Sequence, residues 1–336
     1  MRKFFLFIFM LVLLTGFALY VVFSFLTYRN SNEVELSIPK GVSVAQIARM
    51  LEEKEVIPSM LGFRLLVRVT QKGSHLKAGD YLFEEGLKPL EVLEIIASGR
   101  VELLSVTVPE GQNLKQIFSI LKKSIFNQLN ENDWNELITQ EKWIKKFSIP
   151  TKNLEGYLFP STYHYGKDIK PVELIDSMLT TFSKQVNQDM IEQAKSYGFN
   201  LHQWVTLASI IEKETGVPKE RPMIARVFMN RLRLGMLLQT DPTVIYGIEN
   251  FNGNLRRTDL ETDTPYNTYM RPGLPPGPIC SPGLESLKAV LNPAEGDYLY
   301  FVAKGDGSHH FSKTLEEHNK AVNFYQRHQG AAPINQ

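Results

Sequence analysis

Hydrophobic positions change their period several times along this chain. From Phe4 to Leu26 there is no charged side chain, and only Thr15, Gly16, Tyr20 and Ser24 interrupt aliphatic, thioether and phenyl groups. At about 1.5 Å per residue that run covers the roughly 30 Å hydrocarbon core of a bilayer as one helix. Arg2 and Lys3 on its leading flank outweigh Arg29 on the trailing one, which predicts a cytoplasmic N-terminus over residues 1–3 and everything after Tyr28 outside. A cleavable leader has an apolar stretch of about 7–15 residues ending at a small-x-small site. Phe23-Ser24-Phe25-Leu26 offers no such site, so residues 4–26 read as an uncleaved anchor, and no second run of that length follows.

Beyond the anchor the period becomes helical. Ile38-Pro39-Lys40-Gly41 leads into Val44, Ile47, Ala48 and Leu51, and Val108-Pro109-Glu110-Gly111 leads into Leu114, Ile117, Phe118 and Leu121. Each reads as strand, Pro-x-Gly turn and amphipathic helix, which suggests a duplicated small module. Between them, Leu76 to Phe83 predicts a strand, and Leu90, Val92, Leu93 and Ile96 predict a helix over 89–97 closed by Gly99. A small βα module after an anchor resembles the LysM-like carbohydrate-binding fold; a plain spacer above the membrane is the competing reading, and the pattern leaves both open. Around Trp134, Trp143 and Phe147 short helices are expected, and from Asn153 onward helices alternate with Gly/Pro-rich loops.

Composition narrows the chemistry. The 336 residues hold 37 Lys+Arg against 36 Asp+Glu, so no electrostatic grip on nucleic acid is indicated. A single cysteine, Cys280, excludes an internal disulfide, a multi-cysteine zinc site and a Cys-x-x-Cys pair. His309, His310 and His318 with Glu316 and Glu317 lack His-Glu-x-x-His spacing, so no metal or cofactor is expected, and Gly307-Ser308-His309-His310-Phe311 reads as a turn into a strand. No Gly-x-Ser-x-Gly elbow is present.

The longest helix expected in the second part runs from Leu201 through Glu214, ended by Gly216 and Pro218. Stepping back from Glu214 by three, four and seven meets Ile211, Ile210 and Leu207, whereas Glu212 meets Ser209, Ala208 and Val205. Glu214 therefore lies on the core stripe, where desolvation raises a carboxyl pKa towards that of a general acid working near neutrality. The competing reading is a structural ion pair with Arg221, Arg226 or Arg231. A second helix carries Ile224, Val227, Phe228 and Arg231 on one face. The segment from Gly235 to Gly247 reads as extended chain and turn, followed by Tyr266-Asn267-Thr268-Tyr269 and the rigid Gly273-Leu274-Pro275-Pro276-Gly277-Pro278-Ile279. Fixed loops bearing amides, hydroxyls and aromatic faces suit a sugar-binding cleft.

Leu207 to Thr215 with its Glu212-Lys213-Glu214-Thr215 block, Asn230-Arg231-Leu232, Leu238 to Gly247, Tyr266 to Tyr269, Gly273 to Gly277 and Tyr300-Phe301-Val302-Ala303 together resemble the endolytic murein transglycosylase (YceG-like) family. Gly156-Tyr157-Leu158-Phe159-Pro160 matches a further block, and Cys280 departs from the small residue expected there. The resemblance implies an α+β chain: a transmembrane helix, a LysM-like module over 27–105 and a catalytic domain over 106–336. It implies Glu214 as the acid and cleavage of the β-1,4 bond between N-acetylmuramic acid and N-acetylglucosamine of peptidoglycan strands without water, leaving 1,6-anhydro ends. Gln239, Asp241, Tyr266 and Asn267 are the candidate substrate contacts. The expected place is the cytoplasmic (inner) membrane with the catalytic part outside, and peptidoglycan synthases (penicillin-binding proteins) are candidate partners. The rival from another class is a non-catalytic peptidoglycan-binding scaffold.

Overall fold

The computed structural model describes residues 2–99, 104–166 and 169–333. They fall into two compact units, Met1–Ser105 with His164–Ile169, and Val106–Tyr163 with Lys170–Gln336. Met1, at the tip of the expected cytoplasmic tail, and residues 100–103, near the expected end of the module, lie outside the described residues.

In the first unit the apolar run is one helix, Arg2–Thr27, and its stretch Ile8–Thr27 is long and apolar enough to cross a membrane. The strand Val34–Ile38 then pairs antiparallel with Gly79–Phe83, Leu36 lying opposite Tyr81. Side-chain alternation turns Leu36 and Ile38 inward with Tyr81 and Phe83. Ser43 starts the helix Val44–Glu53 with a reciprocal capping box: its hydroxyl accepts from Gln46 N–H, and the Gln46 side chain accepts from Ser43 N–H. Ile47, Ala48 and Leu51 are buried on the core side, as their spacing predicts. Pro89–Ser98 closes the same core and ends at Gly99 in the left-handed region. The sequence reading did not anticipate one helix here, Met60–Val69, which contributes Phe63 and Val67 to the core.

The second βα unit consists of Leu104–Val108 and Leu114–Ser124, the helix burying Leu114, Ile117, Phe118 and Leu121. The strands of the two motifs belong to separate sheets. The strand of this second motif pairs with Ser161–Tyr165, where the Thr107 and Thr162 hydroxyls are 2.9 Å apart. Its turn is tied to the loop before Leu284–Leu291: Gly111 N–H donates to the Ser281 carbonyl and Ser281 N–H to the Gln112 carbonyl, both at 2.9 Å. One local motif has thus been placed in two settings, because a strand needs a partner edge and each copy finds a different one.

The helix Leu201–Glu214 is the spine of the second unit, with every residue from Trp204 to Ile211 buried. A helix stretch buried on all sides must be covered on all sides, and its two hydroxyls, Thr206 and Ser209, are satisfied by the helix's own carbonyls. Leu284–Leu291 and Arg221–Arg233 pack against it, and Trp204 Nε1 donates to the Leu287 carbonyl at 2.9 Å. One expectation is corrected nearby: Asp241–Gly247, read as extended chain, is a helix. Pro242 fits its first turn, where no N–H is required, and Thr240 supplies the extended residue before it. The strand expected at His309 is present as His309–Ser312, antiparallel to Tyr300–Ala303.

Candidate active site

Glu214 is the last residue of the Leu201–Glu214 helix, and the chain leaves it in an extended conformation at Thr215. Its side chain is half-buried and accepts a hydrogen bond from the Thr240 hydroxyl. Its three possible cationic partners are engaged elsewhere. Arg221 pairs with Glu212 at 3.1 Å, Arg226 donates to the Ala294 carbonyl at 2.5 Å, and Arg231 donates to the carbonyls of Leu299 and Leu238, both at 2.7 Å. Burial pushes the Glu214 carboxyl up to about 7; the Thr240 hydroxyl pulls down, Asp241 pushes up, and His309 and Arg231 pull down more weakly. A carboxyl poised there exchanges a proton at neutral pH in either direction.

Glu212, two residues earlier, has the opposite character. Its side chain is buried, salt-bridged to the equally sheltered Arg221, and accepts from Gly283 N–H at 3.0 Å. It anchors the Ser281–Gly283 turn to the spine.

The segment facing Glu214 is held from behind. Gln239 adopts a left-handed φ of 51° and its N–H donates to the Thr268 carbonyl at 3.1 Å, which turns the chain so that Thr240 points at Glu214. Thr240 N–H donates to the Thr268 hydroxyl, itself 2.9 Å from the Thr243 hydroxyl. Asp241 is exposed and accepts from the Tyr269 hydroxyl at 2.6 Å. Glu220 accepts from the backbone and the ring of His309, each at 2.7 Å, and from the Thr215 hydroxyl at 3.3 Å. The carboxylate–histidine pair therefore fixes the residue that follows Glu214.

Of the four candidate contact residues, Gln239 and Asp241 are exposed beside Thr240, and Tyr266 is half-buried against Tyr246, ring centroids 4.8 Å apart. Asn267 is completely buried. Its Nδ2 reaches the carbonyls of Asp259, Leu260 and Thr262, and its Oδ1 accepts from Tyr269 N–H at 2.9 Å. An amide with both ends bonded to its own loop and closed off from solvent shapes that loop. Cys280 is buried too, its thiol donating to the Ser209 carbonyl at 3.3 Å, and burial raises its pKa.

A second carboxyl escaped the sequence reading. Glu155 is buried and accepts from Leu114 N–H at 3.2 Å and from the Tyr246 hydroxyl at 3.0 Å. Burial pushes it up to about 7 against the pull of those donors. It opens onto a cavity of about 1020 Å³ shared with Asn113, Trp134, Lys213 and Tyr246. Its only sequence signal is an isolated acid directly before the buried Gly156–Pro160 run. Gly156 there has φ 84°, and a Cβ would strike Pro278, so the position admits only glycine. Among the described residues no cluster of His, Cys, Asp and Glu is placed to hold a metal ion.

Comparison with known proteins agrees in extent with this architecture. The YceG-like family model matches residues 36–324. A protein of Bacillus subtilis (strain 168) named endolytic murein transglycosylase is 36% identical over 313 residues, spanning 88% of this chain and 86% of that protein. One of the same name from Streptococcus pneumoniae serotype 2 is 30% identical over 325 residues; this chain spans 58% of that longer relative. A crystal structure of a YceG-like protein from Listeria monocytogenes matches with a TM-score of 0.60 at 34% identity, covering 86% of this chain and 98% of that one. Agreement of this extent makes the protein an enzyme, a lytic transglycosylase, and the chain belongs to the YceG-like family.

Proposed function

We propose that this enzyme cuts peptidoglycan strands internally, breaking the β-1,4 bond between N-acetylmuramic acid and N-acetylglucosamine, with Glu214 as its acid. Glu214 gives its proton to the glycosidic oxygen as the C1–O bond breaks. The muramic C6 hydroxyl closes on C1 and returns its proton to the carboxylate, so a 1,6-anhydro ring forms, no water is consumed and the acid is restored. A glycosidase that uses water needs two carboxyl groups flanking the bond about 5–10 Å apart. Here one suffices, since the substrate brings its own nucleophile. The observation carrying this reading is the Glu214 carboxyl, in no salt bridge among the described residues, pushed up to about 7 and bonded to the Thr240 hydroxyl.

Gln239, Asp241 and Tyr266 are proposed to touch the strand. The first unit acts as a LysM-like module that captures glycan or sets the reach of the active site. The Arg2–Thr27 helix is an uncleaved anchor in the cytoplasmic membrane with the rest outside, among the synthases that make the strands. Digestion of purified glycan strands with mass analysis of the fragments tests the chemistry. Internal fragments ending in 1,6-anhydromuramic acid are expected; reducing ends, one water heavier, would point to a hydrolase, and no fragments at all to a binding scaffold.

A further inference from the structure

The helix Met60–Val69, sequence Met-Leu-Gly-Phe-Arg-Leu-Leu-Val-Arg-Val, contains no acidic residue and is apolar on two opposite sides. Phe63 and Val67 fill the core of the first unit. On the other side Leu61, Leu65 and Val69, spaced four apart, are 68%, 59% and 73% exposed. Arg64 and Arg68 are exposed and fall at the edge of that stripe by helical spacing. Soluble surfaces do not ordinarily align large aliphatic side chains in this way without a partner.

Its neighbour says what covers it. The end of the Arg2–Thr27 helix is fastened to this same unit: the Phe25 ring lies directly against Gly62, leaving no room for a Cβ there. The Tyr28 hydroxyl donates to the Glu55 carbonyl at 2.7 Å and Arg29 to the Gly86 carbonyl at 2.6 Å. A stripe seated beside the point where an anchor leaves the bilayer meets headgroups before it meets any soluble protein. We infer that the exposed face of Met60–Val69 docks on the membrane surface, with Leu61, Leu65 and Val69 in the outer edge of the hydrocarbon and Arg64 and Arg68 on phospholipid phosphates. The inference rests on the anchor reading. Docking gives the unit a fixed tilt, so the module stands at a set angle above the bilayer instead of swinging on its anchor.

The full chain carries the test. In Leu65→Cys and, as a control, Glu53→Cys, an environment-sensitive fluorophore is attached through maleimide, the native Cys280 being buried. Each protein is placed as one copy in nanodiscs of phosphatidylethanolamine and phosphatidylglycerol. The expected result is a blue-shifted emission at position 65 that is quenched at least twofold by lipids with a shallow doxyl label, and neither effect at position 53. Combining Arg64→Glu with Arg68→Glu should at least halve that quenching. Equal, unquenched emission at both positions overturns the docking. A shift at 65 that needs two copies per disc makes the stripe a contact between chains and overturns it equally. Carbonate extraction of vesicles separates the two readings: a chain that stays membrane-integral without quenching at 65 fails the docking alone, whereas a chain washed off fails the anchor and the docking together.

Discussion

The Thr240 hydroxyl donates to the Glu214 carboxyl, and Thr240 is at the same time the residue that begins the Asp241–Gly247 helix. One side chain thus couples the proposed acid to the loop carrying Asp241. The bond favours the charged carboxylate and partly offsets burial. Thr240→Val keeps the shape and loses the donor. The Glu214 pKa should then rise beyond about 7, moving the alkaline limb of the pH–rate profile up by about one unit, with kcat lowered as the carboxyl loses its orientation. A profile unmoved in pH would show that the hydroxyl does not address the group that limits the rate.

The pH dependence has a definite sign. Glu214 must be protonated to act first as an acid, so turnover should be high below about 7 and fall as pH rises through it. Glu214→Gln keeps size and hydrogen-bonding capacity but has no transferable proton, so turnover should drop by roughly 10²–10⁴-fold or more at every pH while the fold survives. Full activity in this variant would remove the proposed mechanism.

Glu212→Gln should behave differently from its neighbour. Helical spacing places Glu212 off the apolar stripe and suggests a mild variant, but the structure seats it in a buried pair with Arg221 and on Gly283 N–H. Removing Glu212 leaves Arg221 only the more exposed Glu110 at 3.7 Å, so the loss stays below the about 3–5 kcal/mol of a buried charge left with no partner at all. Thermal melts should therefore show a clear loss of stability in Glu212→Gln, and the protein that remains folded should retain most of its turnover.

That contrast shows what could be read from the sequence and what could not. The N-terminal apolar run, both βα motifs and the Leu201–Glu214 helix follow from local periodicity, and so does the apolar setting of Glu214, because i−3, i−4 and i−7 neighbours lie within one helix. Which arginine pairs with which glutamate depends on where Arg221–Arg233 packs, a long-range outcome that spacing along one helix does not contain. Asn267 reads as a ligand amide until three loop carbonyls are found around it. Glu155 stays silent because its partners, Leu114 and Tyr246, are distant in sequence and brought together only by folding.

Asn267→Ala checks the structural role directly. The three carbonyls of Asp259, Leu260 and Thr262 lose their common donor, and a small cavity opens at a fully buried site. Where water cannot replace the lost donor, an acceptor left without a partner costs about 1–3 kcal/mol. Proteolysis within residues 257–271 should accelerate and the melting temperature fall. A change confined to KM, with stability intact, would return Asn267 to the substrate-binding set.

Stability should depend on pH through Glu155. Its carboxyl has a pKa raised from 4.5 to about 7 in the folded protein, so folding favours the protonated form. Its contribution is fully present below about pH 4.5 and is lost as pH rises through about 7, where the buried group must ionise or remain protonated at a cost. With one pKa unit equal to about 1.36 kcal/mol, the loss across this window approaches about 3 kcal/mol. Glu155→Gln is neutral throughout and retains an acceptor for the Tyr246 hydroxyl. Urea unfolding of the full chain in detergent should find this variant close to the wild type at pH 4.5 and more stable than it at pH 8. Glu214 titrates in the same direction, so Glu214→Gln should flatten the remaining slope, and the double variant should be nearly independent of pH between 4.5 and 8 as far as these two groups are concerned. Equal destabilisation of Glu155→Gln at both pH values would mean that the buried carboxyl is charged in the native protein, held by Leu114 N–H and Tyr246, and that the cavity it opens onto carries a fixed negative charge.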